Sequence, residues 1–258
     1  MNEFLNEEIN YLRMKCSEVS YSPNRFKLFI GEDRYLFGVI SSKDKSSPFS
    51  KLMKYKTIYD TLIDLDWKIK FCFDKAIEYA YSDTLQKKFS MIITECEEER
   101  LAYYYIENSL FRISSLWDIL AQLFCLYYNI KIPTNDIYYN KLFNQERKDY
   151  YRKYSIYKIK NFEEFKEQAH NINSYLNQKD NTQLEGEWKG NHRYINKWRN
   201  KMTHRNSPNI TTMSDYDLNF KSHPTYMLKR IIEDYSVVSK YIDKILNTIE
   251  AEYIKDIK

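Results

Sequence analysis

The sequence predicts an all-α protein, and three observations support this. Only 4 Gly and 5 Pro occur among 258 residues, so the chain is poor in the residues that form turns. Long segments carry apolar residues three and four positions apart, which is the spacing of one helix face. Hydrophobic residues make up 43% of the chain, so a protein of this length can bury a substantial core. Few, long helices are therefore expected.

Residues 1–48 are predicted to form an appendage that consists of a helix and a β-hairpin. Residues 2–18 show the apolar spacing of a short amphipathic helix. Two β-prone runs within residues 25–40 flank Gly31, which predicts a small hairpin. Because a lone two-stranded hairpin is marginally stable in water, it is expected to pack on the helical body. The polar stretch 41–48 is the predicted linker.

Residues 50–258 are predicted to form the main domain, a bundle of helices. The most hydrophobic face of the chain lies within residues 110–127, so that helix should be central. Thr84 can cap the N-terminus of the predicted helix that precedes this central one. The last helix repeats apolar residues in steps of four and three, which suits a bundle core, a dimer face or both. Apolar helix faces are predicted over residues 58–79, 85–96, 110–127 and 231–249. The face over 231–249 belongs to the last predicted helix, 225–256. A further helix is predicted over 161–176.

Net charge and cysteine usage restrict the class of protein. The charge of +4 excludes a globally basic nucleic-acid binder, so any nucleic-acid site must be a local patch. The four cysteines are scattered without a C-x-x-C pair, which predicts buried thiols in a reducing cytoplasm rather than disulfides or a zinc site. The acidic N-terminus has no apolar signal segment, and the most apolar run, 116–130, is too short to span a bilayer. A soluble, cytoplasmic protein without a membrane partner is therefore expected.

The short motifs that mark cofactor or metal sites are missing from the sequence. The chain has no Gly-rich phosphate loop, no H-E-x-x-H, no paired Cys/His ligand set and no G-x-S-x-G. Its four histidines are spread out, which argues against a mononuclear zinc site. Neither a cofactor nor a metal is therefore expected.

Residues 138–157 interleave basic and aromatic side chains. A surface that stacks bases and binds phosphates needs this combination. An ordinary surface helix whose tyrosines are half-buried has the same pattern. Both interpretations stay open.

The one concentrated cluster of positive charge lies in residues 189–205. These residues include six Lys or Arg residues, His192 and His204, and no acidic residue. Such a cluster attracts phosphates, carboxylates or an acidic partner. An apolar stripe is expected to anchor this helix to the bundle, and it consists of Ile195, Trp198 and Met202.

Arg199 and His204 are the candidate chemical groups of this basic helix. Arg199 lies at the border of the apolar stripe, where a guanidinium can be half-buried and held as a rigid phosphate clamp. His204 is about 140° from Arg199 on an unbroken helix, so the two converge only if the helix ends near residues 203–206. Pro208 supplies a reason for such an end. In the alternative, which stays open, His204 caps the helix C-terminus and Arg199 pairs with an acidic residue.

The segment Arg199-Asn200-Lys201-Met202-Thr203-His204 resembles the R-x4–6-H motif of the HEPN superfamily, including the polar residue directly after the Arg. The helix around Ser115 and Asp118 also resembles an earlier HEPN core helix, in which a polar residue often faces the site. Asp118 is thus a candidate partner of Arg199, against the alternative that it faces solvent or bonds locally. The resemblance covers roughly residues 50–258 and implies a HEPN-like helical bundle. Asn206 stands where HEPN toxins that are silenced by AMP addition carry a Tyr, which argues against that mode of control.

The resemblance implies a metal-independent endoribonuclease, in which a ribose 2′-OH attacks the adjacent phosphate. Arg199 would stabilise the charge on the phosphoryl oxygens, His204 would transfer a proton, and Asn200 would orient the phosphate or the histidine. Neighbouring phosphates would be bound by Arg193, Lys197, Lys201 and Arg205. In-line attack requires one group to take a proton and another to give one. Because each motif provides a single histidine, this favours a homodimer with a composite site.

The expected partners are RNA, a second copy of the chain and an antitoxin or regulatory protein, as for a toxin or defence effector. Two other hypotheses stay open. The chain can be a non-catalytic HEPN-like module that binds RNA, a nucleotide or a protein, because binding needs only the charges. It can also be a structural helical protein in which the R-x4-H spacing arises by chance.

Overall fold

The computed structural model of the protein describes residues 3–25, 48–181, 188–204, 207–214 and 217–257. Helices dominate these residues, which confirms the all-α prediction. The helices are α1 (Glu3–Ser17), α2 (Pro48–Ala80), α3 (Asp83–Lys88), α4 (Glu97–Tyr127), α5 (Tyr139–Leu142), α6 (Lys148–Lys153), α7 (Phe162–Leu176), α8 (Asn191–His204) and α9 (Pro224–Ile257). Two short antiparallel strands, β1 (Thr212–Ser214) and β2 (Asp217–Asn219), pair Met213 with Leu218. Apart from Arg25, the hairpin predicted over 25–40 lies outside the described residues.

The chain divides into two compact units, each assembled from three segments. Unit 1 consists of residues 1–18, 67–115 and 171–238, and unit 2 consists of residues 19–66, 116–170 and 239–258. The helices α2, α4 and α9 each contribute one part to each unit. The predicted boundary between an appendage and a main domain near residue 48 stays a prediction.

The helix α4 is central, as its apolar face predicts. Leu110, Ile113, Trp117 and Leu120 on that face are almost completely inaccessible to solvent. By length and composition alone α4 could cross a membrane, and 61% of its most apolar window is buried inside the protein. The face of α9 predicted from Ile231 to Ile249 is also buried.

The C-terminus of α4 lies at Tyr127, where the predicted apolar face over 110–127 also ends, and before Pro133. Asn129 adopts a left-handed backbone with φ 55°, and the N–H of Ile130 donates to the Cys125 carbonyl at 2.8 Å. This is the Schellman arrangement, in which a residue with positive φ satisfies a terminal carbonyl. An Asn in that conformation therefore ends the helix before the proline is reached.

The core of unit 2 contains many aromatic side chains. Phe124 and Phe143 pack edge to face with ring centroids 5.2 Å apart, and Tyr151 is fully buried with its hydroxyl donating to the Leu142 carbonyl at 2.6 Å. Tyr150 donates to the backbone carbonyl of Asp136 at 2.8 Å. The tyrosines of the basic and aromatic segment 138–157 thus include side chains that are committed to internal packing, which favours the second of its two interpretations.

The four cysteines, which lie on or near helices, are buried and free, as predicted. Asp66 on α2 is also buried and is only 7% exposed. The helix α2 buries Tyr55 and Tyr59 as well, so its buried face is wider than the predicted stripe over 58–79.

The helix predicted from Thr84 through Cys96 is wrong in both its start and its length. Ser82 is the cap, because its hydroxyl accepts from the N–H of Leu85 at 3.2 Å, and α3 ends after six residues. Residues 89–96 are not helical, and Ile92 is 69% exposed. The chain leaves the helix because tertiary contacts engage this segment instead.

Lys221 makes those tertiary contacts from the loop before α9. Its ammonium group donates to the Ile93 carbonyl at 2.7 Å and to the Thr94 hydroxyl at 2.9 Å, and it pairs with the carboxylate of Glu99. Because Lys221 and Glu99 are both fully buried, their charges must be compensated by partners inside the protein. This network holds residues 89–96 against the loop before α9.

His223, two residues later, makes stability sensitive to acid. Its ring packs against Phe89 with centroids 4.6 Å apart, Nδ1 lies 2.8 Å from the Thr225 hydroxyl, and burial lowers its pKa below the ordinary 6.5. Below about pH 6.5 the unfolded chain therefore takes up a proton that the folded protein resists, so stability falls as pH drops toward the folded pKa. The melting temperature of the wild type should decrease between pH 7.5 and 5.5 more steeply than that of His223→Gln. Identical slopes would contradict this role.

Candidate functional site

The basic helix α8 begins at a tightly packed loop. Gly190, directly before it, has φ +72°, and a Cβ there would lie 2.5 Å from the backbone of Asp180. Only glycine accepts both the left-handed backbone and this close approach. The N–H of Gly190 also donates to the Gln178 side chain at 3.2 Å. The start of α8 is therefore held against the segment that follows α7.

Arg230 on α9 ties this loop to the last helix. It is fully buried, and its guanidinium makes five hydrogen bonds. The acceptors are the Lys189 and Asn181 carbonyls, the Asn191 and Asp180 side chains and the Tyr226 hydroxyl. Its Cζ also lies 4.7 Å from the ring centroid of Tyr194 and 5.0 Å from that of Trp188. Arg230 thus serves as an internal anchor for the N-terminus of α8.

His192 belongs to this buried framework and not to the basic surface to which the charge pattern assigned it. Its Nδ1 donates to the Asp234 carboxylate at 3.3 Å, and its Nε2 accepts from the Asn196 amide at 2.6 Å. Asp234 also accepts from the Tyr175 hydroxyl at 2.9 Å. Of the apolar stripe predicted to anchor α8, Ile195 is buried, whereas Trp198 and Met202 are half-buried. Polar side chains such as that of His192 complete the attachment.

Arg199 is half-buried and held from α4, as a rigid clamp requires. One guanidinium nitrogen donates to the Ser114 hydroxyl at 3.1 Å. Ser114 lies one turn before Asp118, the residue that the resemblance offered as a partner, so the polar contact comes from the expected helix but from a different residue. The Thr203 hydroxyl donates to the Arg199 carbonyl at 2.6 Å and satisfies one of the acceptors near the helix end.

The end of α8 falls at His204, within the predicted range 203–206. Helical backbone persists to that residue, so positions 199 and 204 are about 140° apart around the axis. The side chain of His204 and the residues Arg205 and Asn206 lie outside the described part of the chain. Convergence of the Arg and His side chains therefore stays a prediction.

The remaining predicted site residues form a row along α8. Arg193, Lys197 and Asn200 are exposed, and helical spacing places them within about 60° of one another. Position 204 follows on the same row at the next turn. Lys201 lies beside the row and is half-buried. The exposed face of α8 thus offers two cations and an amide over about two turns, with Arg199 on the flank that contacts α4.

Glu107 is a candidate that sequence reasoning missed. It lies two turns before Ser114 on the same face of α4, and it accepts a hydrogen bond from the amide of Asn209, five residues beyond His204. Burial raises the pKa of its carboxyl group, while the Asn209 hydrogen bond acts in the opposite direction. A buried carboxyl group with a raised pKa is a candidate proton carrier. The one feature of the sequence that points to Glu107 is its spacing of seven residues from Ser114, which places both on one helix face.

The comparisons with known proteins identify no relative: no protein-family model, no curated protein and no solved structure matches this chain. The resemblance to the HEPN superfamily is therefore one of sequence motif alone, carried by residues 199–204 and the predicted helices around them. Within the described ranges, no three or more His, Cys, Asp or Glu side chains are grouped as metal ligands would be.

Proposed function

We propose that this protein is an RNA-binding endoribonuclease of the HEPN type that works without a metal ion. The observation that carries the proposal is the Arg199 guanidinium, which the Ser114 hydroxyl holds on the same helix that exposes Arg193, Lys197 and Asn200. Phosphodiesters are the ligands that such an arrangement of fixed and exposed cations binds best.

The reaction assigned to this site is an internal transfer at phosphorus. The ribose 2′ oxygen forms a bond to the adjacent phosphorus and loses its proton, and the bond from phosphorus to the 5′ oxygen of the next nucleotide breaks as that oxygen gains a proton. Arg199 stabilises the charge on the phosphoryl oxygens, and His204 carries one of the protons. Asn200 orients the phosphate. The products are a 2′,3′-cyclic phosphate and a free 5′-OH.

The second proton carrier is assigned to a second copy of the chain, so we propose a homodimer. An apolar surface that we assign to the dimer contact lies beside the turn that follows α8. The side chains of Met91, Ile92, Ile93, Ile210 and Phe220 are 47–69% exposed. The Thr211 hydroxyl donates to the Met91 carbonyl, and Lys221 donates to the Ile93 carbonyl, so the two segments that carry these side chains are joined. Exposed apolar patches of this kind are typical of protein interfaces.

Replacing Ile92 and Ile93 together with aspartate should produce a monomer that has lost RNA cleavage, because four charges would face each other across the interface. Sedimentation velocity and a cleavage assay on the same sample measure both effects. Met14→Asp is the matched control, because Met14 on α1 is 52% exposed and outside this patch. A wild type that is monomeric and active, or a variant that stays dimeric, would refute the assignment.

Product chemistry tests the proposed reaction. A single-stranded RNA should be cut to fragments that end in a 2′,3′-cyclic phosphate, and one 2′-deoxy nucleotide at the cleavage position should block that cut. Cutting at the deoxy position, or fragments that end directly in a 3′-OH, would rule the mechanism out.

The alternative is a non-catalytic module that binds RNA, a nucleotide or an acidic protein. The exposed row on α8 favours it, because Arg193 and Lys197 can bind phosphates without His204. Tight RNA binding with no cleavage under any condition would support this alternative. As a cytoplasmic toxin or defence effector, the proposed enzyme would also be controlled by an antitoxin or regulatory protein, and α8 would attract an acidic one. The proposed enzyme does not require a membrane.

A further inference from the structure

Unit 1 displays a row of aromatic side chains that its own core does not use. Trp67 on α2 is 64% exposed and Phe71 is 45% exposed, while Tyr104 and Phe111 on α4 are 58% and 42% exposed. Tyr79 and Tyr105 are half-buried between them. We call these six residues the aromatic ledge. Exposed rings in such number are unusual, because each one leaves a large apolar surface in water.

The rings of the aromatic ledge support each other. Trp67 and Phe71 stack with centroids 5.8 Å apart and planes 19° apart, and Tyr79 stacks on Tyr105 at 6.0 Å and 5°. Phe71 meets Tyr105 edge to face at 6.3 Å, and Tyr104 meets Tyr105 in the same way at 5.2 Å. Because these contacts restrict the rings before any ligand arrives, little conformational freedom remains to be lost on binding.

The aromatic ledge begins next to the contact that holds Arg199. On α4, Phe111 and Tyr104 lie about 60–80° around the axis from Ser114, and Tyr105 lies on the opposite side of the helix from Ser114. The row therefore runs from the flank of the basic helix across the exposed face of α4 to α2. Arg100 is exposed one turn before Tyr104, which adds a cation on that face.

We propose that the aromatic ledge stacks the unpaired bases of single-stranded RNA while α8 holds the phosphates of the same strand. This assignment rests on the proposed function and names its substrate class. Aromatic platforms beside a cationic track bind single strands, because every base has a face that can stack. Bases in a duplex are already stacked and paired, so a double helix cannot use the rings.

The charges around the aromatic ledge give the strand an orientation. Asp74 is exposed on α2 one turn beyond Phe71, and Glu78 one turn further pairs with Lys75 at 2.7 Å. Lys68, Lys70 and Lys75 alternate with acidic residues on α2, so the concentrated cluster of cations is the one on α8. The sugar–phosphate backbone therefore follows α8, and the bases extend toward Phe71 and Trp67.

Binding measured without cleavage tests the aromatic ledge. Fluorescence anisotropy would be recorded with three labelled strands: single-stranded 2′-O-methyl RNA, which has no attacking hydroxyl, its duplex, and an abasic phosphodiester of equal length. Trp67→Ala and Phe71→Ala should each raise the Kd for the single strand about tenfold or more, and Trp67→Tyr should restore most of the affinity. The Kd for the duplex and for the abasic strand should not change. Tyr138→Ala, a 44% exposed ring in unit 2, is the matched control and should leave all three unchanged.

The outcomes separate the aromatic ledge from the cleavage reaction. An unchanged Kd for Trp67→Ala, an equal loss with the abasic strand, or a change of oligomeric state in place of RNA affinity would overturn the aromatic ledge even if RNA is cleaved. Ring-dependent binding of a single strand without any cleavage of ordinary RNA would uphold it while the ribonuclease proposal fails. A wild type that binds none of the three strands would overturn both.

Discussion

Replacing Arg230 with alanine is expected to lower the free energy of unfolding by about 3–5 kcal/mol, the range for breaking a buried and hydrogen-bonded charge pair. The variant would leave the Asp180 carboxylate without its cation and two backbone carbonyls without their donors. It would also open a cavity among Trp188 and Tyr194, whose rings now contact the guanidinium. Urea unfolding followed by circular dichroism measures the loss.

The matched control for this prediction is Arg193→Ala, which removes an exposed Arg from α8. A surface substitution of this kind should change stability by no more than about 0.5 kcal/mol. Arg230→Lys should fall between the two, because the ammonium keeps the charge but cannot reproduce the planar set of five hydrogen bonds. A loss below about 1 kcal/mol for Arg230→Ala would show that the cluster is not the anchor of α8.

Replacing Arg199 with alanine is expected to lower kcat for RNA cleavage by about 10²–10³, the usual cost of removing a group that stabilises charge in the transition state. The melting temperature should hardly change, because Arg199 is half-buried and its one described side-chain hydrogen bond is to Ser114. Steady-state kinetics on a labelled single-stranded RNA measures kcat and KM separately.

Two further variants show whether Arg199 acts through chemistry or through binding. Lys197→Ala removes an exposed cation from the phosphate row and should raise KM with little change in kcat. Ser114→Ala keeps the guanidinium but removes its hydroxyl acceptor, so it should lower kcat less than Arg199→Ala does. Equal effects of Lys197→Ala and Arg199→Ala on both constants would mean that Arg199 is only one more phosphate contact.

The long helices were predictable because their evidence is local. The apolar stripes of α4 and α9 repeat over many turns, and burial follows such repeats closely. The failure at α3 came from a distant partner. Lys221 binds the Ile93 carbonyl across 128 positions, and no pattern near residue 93 announces this contact. Tertiary hydrogen bonds can override a helical spacing of this length.

The positive charge of the candidate site was predictable from the sequence, but the buried side chains that hold the site in place were not. The cluster of cations on α8 and the end of that helix at His204 are properties of a short segment. Its buried partners come from far along the chain: Asp234 for His192 and Ser114 for Arg199, across 42 and 85 positions. A count of charges along a helix cannot separate His192, which is buried, from Arg193, which is exposed. The row formed by Arg193, Lys197 and Asn200 was available from helical spacing alone.

The central claim is that Arg199 and His204 cleave RNA without a metal ion. The direct measurement compares the purified wild type with Arg199→Ala and His204→Ala on single-stranded RNA in EDTA, at equal protein concentration and with folding checked by circular dichroism. Cleavage by the wild type and loss of cleavage in both variants are expected. Equal cleavage by all three proteins, or cleavage that appears only when a divalent metal is added, would contradict it.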